Sequence, residues 1–81
     1  MAEKKVVFYT KIHCPLCDEA HTLLQELQSK FSFQIQTVNI YEKDQLIEKY
    51  GLMIPVVEVD GEEIDYGRIS FEKVKKALTN F

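Results

Sequence analysis

Two cysteines, Cys14 and Cys17, stand three positions apart with Pro15 and Leu16 between them. Thiols at this spacing can cycle through a disulfide, or their thiolates can hold a soft metal ion such as Cu(I) or zinc. As a structural staple the bond would be poor, because it closes a very small ring and the shortest loops gain least from a cross-link. Its value would therefore lie in chemistry. The attacking species is the thiolate, whereas an unperturbed thiol (pKa ~8.5) is mostly protonated at neutral pH. The pair thus needs an activating environment, and the surrounding elements must provide it.

The run Lys5-Val6-Val7-Phe8-Tyr9-Thr10 favours a strand covered on both faces, as in a parallel or mixed sheet. A short loop, Lys11-Ile12-His13, leads into a helix whose apolar stripe is Ala20, Leu23, Leu24, Leu27 and Phe31. Pro15 suits the first helical turn, where its missing N–H is not needed. Cys14 then occupies the exposed helix entrance and Cys17 lies one turn in, on the same side. Unpaired amides and the positive end of the helix dipole favour a thiolate at that entrance. This makes Cys14 the nucleophile and Cys17 the resolving thiol. Lys11 and His13 add positive potential, whereas Asp18 and Glu19 compete with the thiolate for the same field.

The rest of the chain continues the alternation. Phe33 to Ile40 reads as a strand in which the apolar phase shifts, so a bulge or a change of burial is expected there. Asp44 to Tyr50 is a short helix stopped by Gly51. Two β runs, Pro55 to Val59 and Glu62 to Tyr66, flank Asp60-Gly61, a hairpin signal. Ser70 caps a last helix with inner residues Phe71, Val74, Leu78 and Phe81. The order β-α-β-α-β-β-α implies an α/β fold: a four-stranded mixed sheet flanked by three helices. Its first unit is parallel and its last hairpin antiparallel.

Length and composition narrow the class. A chain of 81 residues with 46% hydrophobic content is expected to fold as a single domain spanning 1–81. A net charge of −3 argues against nucleic acid or an anionic membrane as an electrostatic partner. No apolar run approaches the ~18 residues of a membrane span, and the segment after Lys5 is shorter than the ~7–15 apolar residues of a secretory signal. A soluble, cytoplasmic monomer is expected.

These residues resemble a family. Lys11-Ile12-His13-Cys14-Pro15-Leu16-Cys17 is similar to the Lys-x-x-Cys-Pro-x-Cys segment of dithiol glutaredoxins, of the thioredoxin-like superfamily. Ile54-Pro55-Val56 is similar to their Val-Pro segment, and the order of elements agrees from about Lys4 to Phe81. The resemblance implies a thioredoxin-like fold and a thiol-disulfide oxidoreductase with a redox-active Cys14–Cys17 disulfide. It also implies a cis peptide bond before Pro55, facing Cys14, and an Ile54 backbone that pairs with a bound peptide or glutathione. Lys11 and Gly67, which match the family's pattern, join the substrate-binding set, and Arg68 is added to it on its own chemistry. The implied partners are a disulfide-bearing protein or small molecule, and glutathione or a thioredoxin reductase as electron donor, with no bound cofactor. The chain departs from the family at Leu16, where a tyrosine is usual. It departs again at Arg68, in place of a second glycine, and at Ser70, where an aspartate is usual. Arg68 offers a planar fork suited to a carboxylate.

Two other readings stand beside this one. Heavy-metal chaperone domains also carry Cys-x-x-Cys after a first strand, but they run β-α-β-β-α-β. A closed zinc site would have only Cys14, Cys17, His21 and the awkwardly placed His13 to draw on. A binding protein of the same fold with little turnover would use Leu16, Ile54 and Arg68 to shape a partner-specific surface.

Overall fold

The computed structural model describes residues 4–79, so the expected packing of Phe81 lies outside the described residues. The elements are β1 (Lys4–Thr10), α1 (Pro15–Gln28), β2 (Phe33–Asn39), a short 3-10 turn (Ile40–Glu42), α2 (Asp44–Tyr50), β3 (Val56–Val59), β4 (Glu62–Tyr66) and α3 (Phe71–Thr79). The sheet order is β2-β1-β3-β4, with β1 parallel to β2 and antiparallel to β3. The expected β-α-β-α-β-β-α order and mixed sheet are what the chain forms.

Alternation along β1 assigns the two faces. Val6 and Phe8 are buried on the side of α1 and α3, where the Phe8 ring lies 6.2 Å from that of His21. Val57 and Val59 oppose them in register on β3 and are likewise buried. On α1, Cys17, Ala20, Leu24 and Leu27 form the buried stripe that meets this face. Val7 and Tyr9 point to the other side, where α2 packs through Tyr50. No helix among the described residues is long and apolar enough to cross a membrane.

Strand β2 ends at Asn39, one residue short of the expected Ile40, and carries no bulge. The register of β2 against β1 is unbroken from Phe33 to Asn39; the irregularity falls instead on β4 opposite Val57/Glu58, where Ile64 is left out of the ladder. Ile40 leaves the strand and is buried in the following 3-10 turn, while Val38 stays in the strand opposite Tyr9 on the α2 side, so the shift in apolar phase is a change of covering face. Gly51 stops α2 as expected, as its C-cap residue, with a right-handed φ of −53°. A Cβ there would come within 2.5 Å of the Ile47 carbonyl oxygen, so the glycine is required by a close approach. The Asp60-Gly61 hairpin has φ of 51° and 86° at its two central residues, the pattern of a type I′ turn. The Asp60 carboxylate also accepts the Lys5 N–H at 2.9 Å, fastening the turn to β1.

On the α2 face, Glu58 accepts from two phenols. Tyr9 Oη donates to Oε1 at 3.2 Å and Tyr50 Oη to Oε2 at 3.3 Å, with the two rings 4.5 Å apart. Desolvation by burial, reinforced by the Glu58 charge, pushes both phenols up from 10.0 to about 12. Folding therefore favours their protonated forms. The stabilisation is fully present below pH 10 and disappears as pH rises through about 12. Urea unfolding across that window should show a steep alkaline loss of stability that Tyr9→Phe reduces. An unchanged alkaline profile in Tyr9→Phe would contradict this role.

Candidate active site

Helix α1 begins at the disulfide. Cys14 is the N-cap residue, with extended backbone angles (φ −126°, ψ 99°), and its carbonyl accepts the Asp18 N–H at 3.1 Å. Its Sγ accepts the Cys17 N–H at 3.1 Å, in the manner of a capping side chain. Pro15 takes the first helical position, and Asp18 lies in the first turn. Cys14 and Cys17 form a disulfide with Cα atoms 5.1 Å apart. The backbone amide bound to Cys14 Sγ thus belongs to the residue carrying the second sulfur.

Just before the cap, His13 has φ 55°, an uncommon left-handed conformation for a residue with a side chain. It turns the chain from the loop into the helix entrance. His13 was expected to contribute charge, and its backbone shape is a feature that residue type alone does not announce. Its neighbour Ile12 is 68% exposed, and Lys11 is half-buried.

Cys14 is less open than expected. It is 9% exposed and Cys17 only 3%, and both join the core cluster that also holds Ile54. The N-cap geometry explains the difference, because it draws Sγ back onto the first turn to meet the Cys17 amide. Accessible surface remains greater at Cys14 than at Cys17, the order that a nucleophile and a resolving thiol require.

The Ile54–Pro55 peptide bond is cis, Pro55 is fully buried, and Leu52, two residues before Ile54, is fully exposed. Gly67 ties the end of β4 to this loop. Its N–H lies 2.8 Å from the Pro55 carbonyl oxygen and 3.1 Å from that of Met53, and its φ is 71°. Arg68, next in the chain, is exposed and lines a concavity with Leu16, Glu19, Ala20, Leu23 and Ile69. Arg68 is thereby brought beside Leu16, the residue between Pro15 and Cys17. Gly67 and Pro55 are brought together by hydrogen bonding. Among the described residues, no hydrogen bond or ion pair joins the Lys11 side chain to this group.

Ser70 caps α3: its Oγ accepts the Lys73 N–H at 3.3 Å, and its own N–H donates to Asp65 Oδ2 at 2.8 Å. Asp65 also accepts the Tyr66 N–H at 3.0 Å and lies 3.7 Å from Lys73 Nζ. This carboxylate is committed to holding the β4–α3 turn, a role not visible in the spacing.

A protein-family model described as Glutaredoxin-like domain (DUF836) matches residues 5–79. The chain belongs to this glutaredoxin-like family. Among solved structures it is similar to protein Ne2328 from Nitrosomonas europaea, with 25% identity and a TM-score of 0.86 over 98% of this chain and 95% of that one. It is also similar to a structural-genomics target protein from X. campestris, with 27% identity and a TM-score of 0.71 over 90% and 93%. Mitochondrial thioredoxin 3 of Saccharomyces cerevisiae, in its oxidized form, matches at 16% identity with a TM-score of 0.69 over 100% and 81%. That likeness establishes the thioredoxin-like fold of this glutaredoxin-like domain.

Two outcomes follow from the geometry. In the reduced protein, iodoacetamide should alkylate Cys14 before Cys17, as read by peptide mass mapping; alkylation of Cys17 first would contradict the assigned order. Replacing Gly67 by alanine should cost about 1–2 kcal/mol in urea unfolding, because a Cβ meets no atom within 4 Å there and only the left-handed backbone is penalised. Gly67→Asn should cost less than Gly67→Ala; equal stability of the alanine variant and wild type would contradict the reading.

Proposed function

We propose that this glutaredoxin-like domain is a thiol-disulfide oxidoreductase. The observation that carries the reading is the Cys14–Cys17 disulfide at the N-cap of α1, with a main-chain N–H donated to Cys14 Sγ. A donor aimed at that sulfur stabilises it best when it bears negative charge, as an attacking or departing thiolate does.

In the reduced enzyme the Cys14 thiolate attacks one sulfur of a substrate disulfide. The first substrate thiolate leaves and takes up a proton, and a mixed disulfide remains on Cys14. Cys17, deprotonated, then attacks Cys14 Sγ and expels the second substrate thiolate. The substrate gains two electrons and two protons, and the enzyme is left as the Cys14–Cys17 disulfide. A thiol reductant restores the dithiol: glutathione, or the dithiol of a thioredoxin reductase. No bound cofactor is needed for either half-reaction, and a reducing compartment such as the cytoplasm is the setting that suits it.

The substrate is assigned to the surface formed by the cis-proline loop and the β4–α3 turn. The Ile54 backbone offers pairing to an extended substrate, and buried Pro55 fixes the loop that presents it. Gly67 holds that loop through its amide, Arg68 supplies a cation, and Lys11 contributes positive potential from the loop that precedes Cys14.

Cys14→Ser should abolish reduction of hydroxyethyl disulfide in a glutathione-coupled or thioredoxin-reductase-coupled assay. Cys17→Ser should accumulate a mixed disulfide on Cys14, detectable as a mass adduct removed by dithiothreitol. Full activity in Cys14→Ser, or no adduct on Cys14 in Cys17→Ser while Cys14→Ser forms one on Cys17, would reject these roles.

A further inference from the structure

The disulfide does not stand alone on its face of the molecule. Two concavities of about 350 Å³ and about 530 Å³ lie along α1 and share Glu19 and Leu23, so they form one continuous furrow. It opens at Leu16, beside Cys17, and reaches Glu26, with Arg68, Ile69 and Phe71 forming the opposite wall. From Leu16 to Glu26 the helix rises roughly 15 Å at ~1.5 Å per residue. That length fits about four or five residues of extended chain at ~3.3 Å each, more than a tripeptide thiol would occupy.

The chemistry of the walls is asymmetric. Leu16, Leu23, Ile69 and Phe71 are each only half-buried and leave apolar surface along the furrow. Arg68 is exposed at the end nearest the disulfide and makes no ion pair with any described acid, although Glu19 lines the same concavity. A second cation, Lys30 Nζ, sits 5.7 Å from the Phe71 ring centre at the far end. A carboxylate is the group that complements an unpaired guanidinium fork.

We propose that this furrow is a substrate subsite for an extended polypeptide flanking the reacting cysteine, with an acidic side chain held by Arg68 and an apolar side chain laid over Leu23 and Phe71. The proposal rests on the redox reading and names its substrate class: a protein disulfide with an acidic neighbour, in preference to glutathione disulfide. The bonds broken and formed are those of the proposed cycle. The furrow contributes orientation and selectivity.

The test uses synthetic peptides whose single cysteine is capped as a hydroxyethyl mixed disulfide. Glutamate, glutamine or lysine is placed next to the cysteine on either side, and leucine or glycine beyond it. The readout is the ratio of kcat/KM between peptides within each protein. Wild type should prefer glutamate to glutamine by about three- to fivefold, the scale of an exposed ion pair, and should prefer leucine to glycine. Arg68→Glu should reverse the charge preference in favour of lysine, and Leu23→Asp should remove the preference for leucine. Ratios near one in wild type, or a charge preference unchanged in Arg68→Glu, would overturn the subsite. Failure of wild type to reduce hydroxyethyl disulfide itself would overturn the redox reading, and the subsite with it.

Discussion

The hydrogen bond from the Cys17 amide to Cys14 Sγ is the contact on which the account depends. A helix entrance leaves its first amides without intrahelical partners, and here a sulfur atom takes the place usually held by a serine or aspartate oxygen. The same bond does two jobs. It caps α1, and it directs a main-chain dipole at the atom that would change charge in the proposed exchange. The chain therefore cannot move Cys14 far without also loosening the helix, so the reactive sulfur is positioned by secondary structure.

The remainder of the fold holds that entrance in place. Strand β1 delivers the chain to it, and the left-handed His13 turns the loop into it. The stripe Cys17, Ala20, Leu24 and Leu27 seats α1 against Val6, Phe8, Val57 and Val59. On the opposite face, Glu58 links Tyr9 and Tyr50 and so fastens α2 to the central strands. The cis-proline loop and the start of α3 are joined through Gly67 and through the bonds of Asp65 to Ser70 and Lys73. One small sheet thus carries a reactive end on the α1–α3 side and a polar lock on the α2 side.

Much of this was legible in the sequence, for physical reasons that differ by element. Alternating and helical periodicities identify β1, α1 and α2 because each must bury one face or stripe. Asp60-Gly61 announces the hairpin because both residues tolerate positive φ. The family resemblance led to the cis bond at Pro55, which local sequence alone would not give. Other features depend on tertiary contacts that no local pattern encodes. The phase shift around Val38 left a bulge and a change of burial open, and the unbroken register that sets Val38 beside Tyr9 on the α2 side makes it the latter. Gly51 read correctly as a helix stop, but the close Ile47 carbonyl that requires a glycine there is visible only in the fold. Exposure of Cys14 was overestimated because position at a helix entrance does not reveal that Sγ folds back onto the first turn to meet the Cys17 amide. Glu58 read as an ordinary strand residue, and only the fold brings two phenols to its carboxylate. The furrow beside Leu16 likewise exists only once α1 and α3 lie side by side.

The most direct test of the central claim is a redox titration of the purified protein in glutathione buffers of graded potential, quenched in acid and scored by thiol alkylation and mass. The account predicts one reversible two-electron transition within a single chain, from the Cys14–Cys17 disulfide to the dithiol, that is abolished in Cys14→Ser. Cysteines that remain reduced at every potential, or that oxidise only between chains, would contradict it.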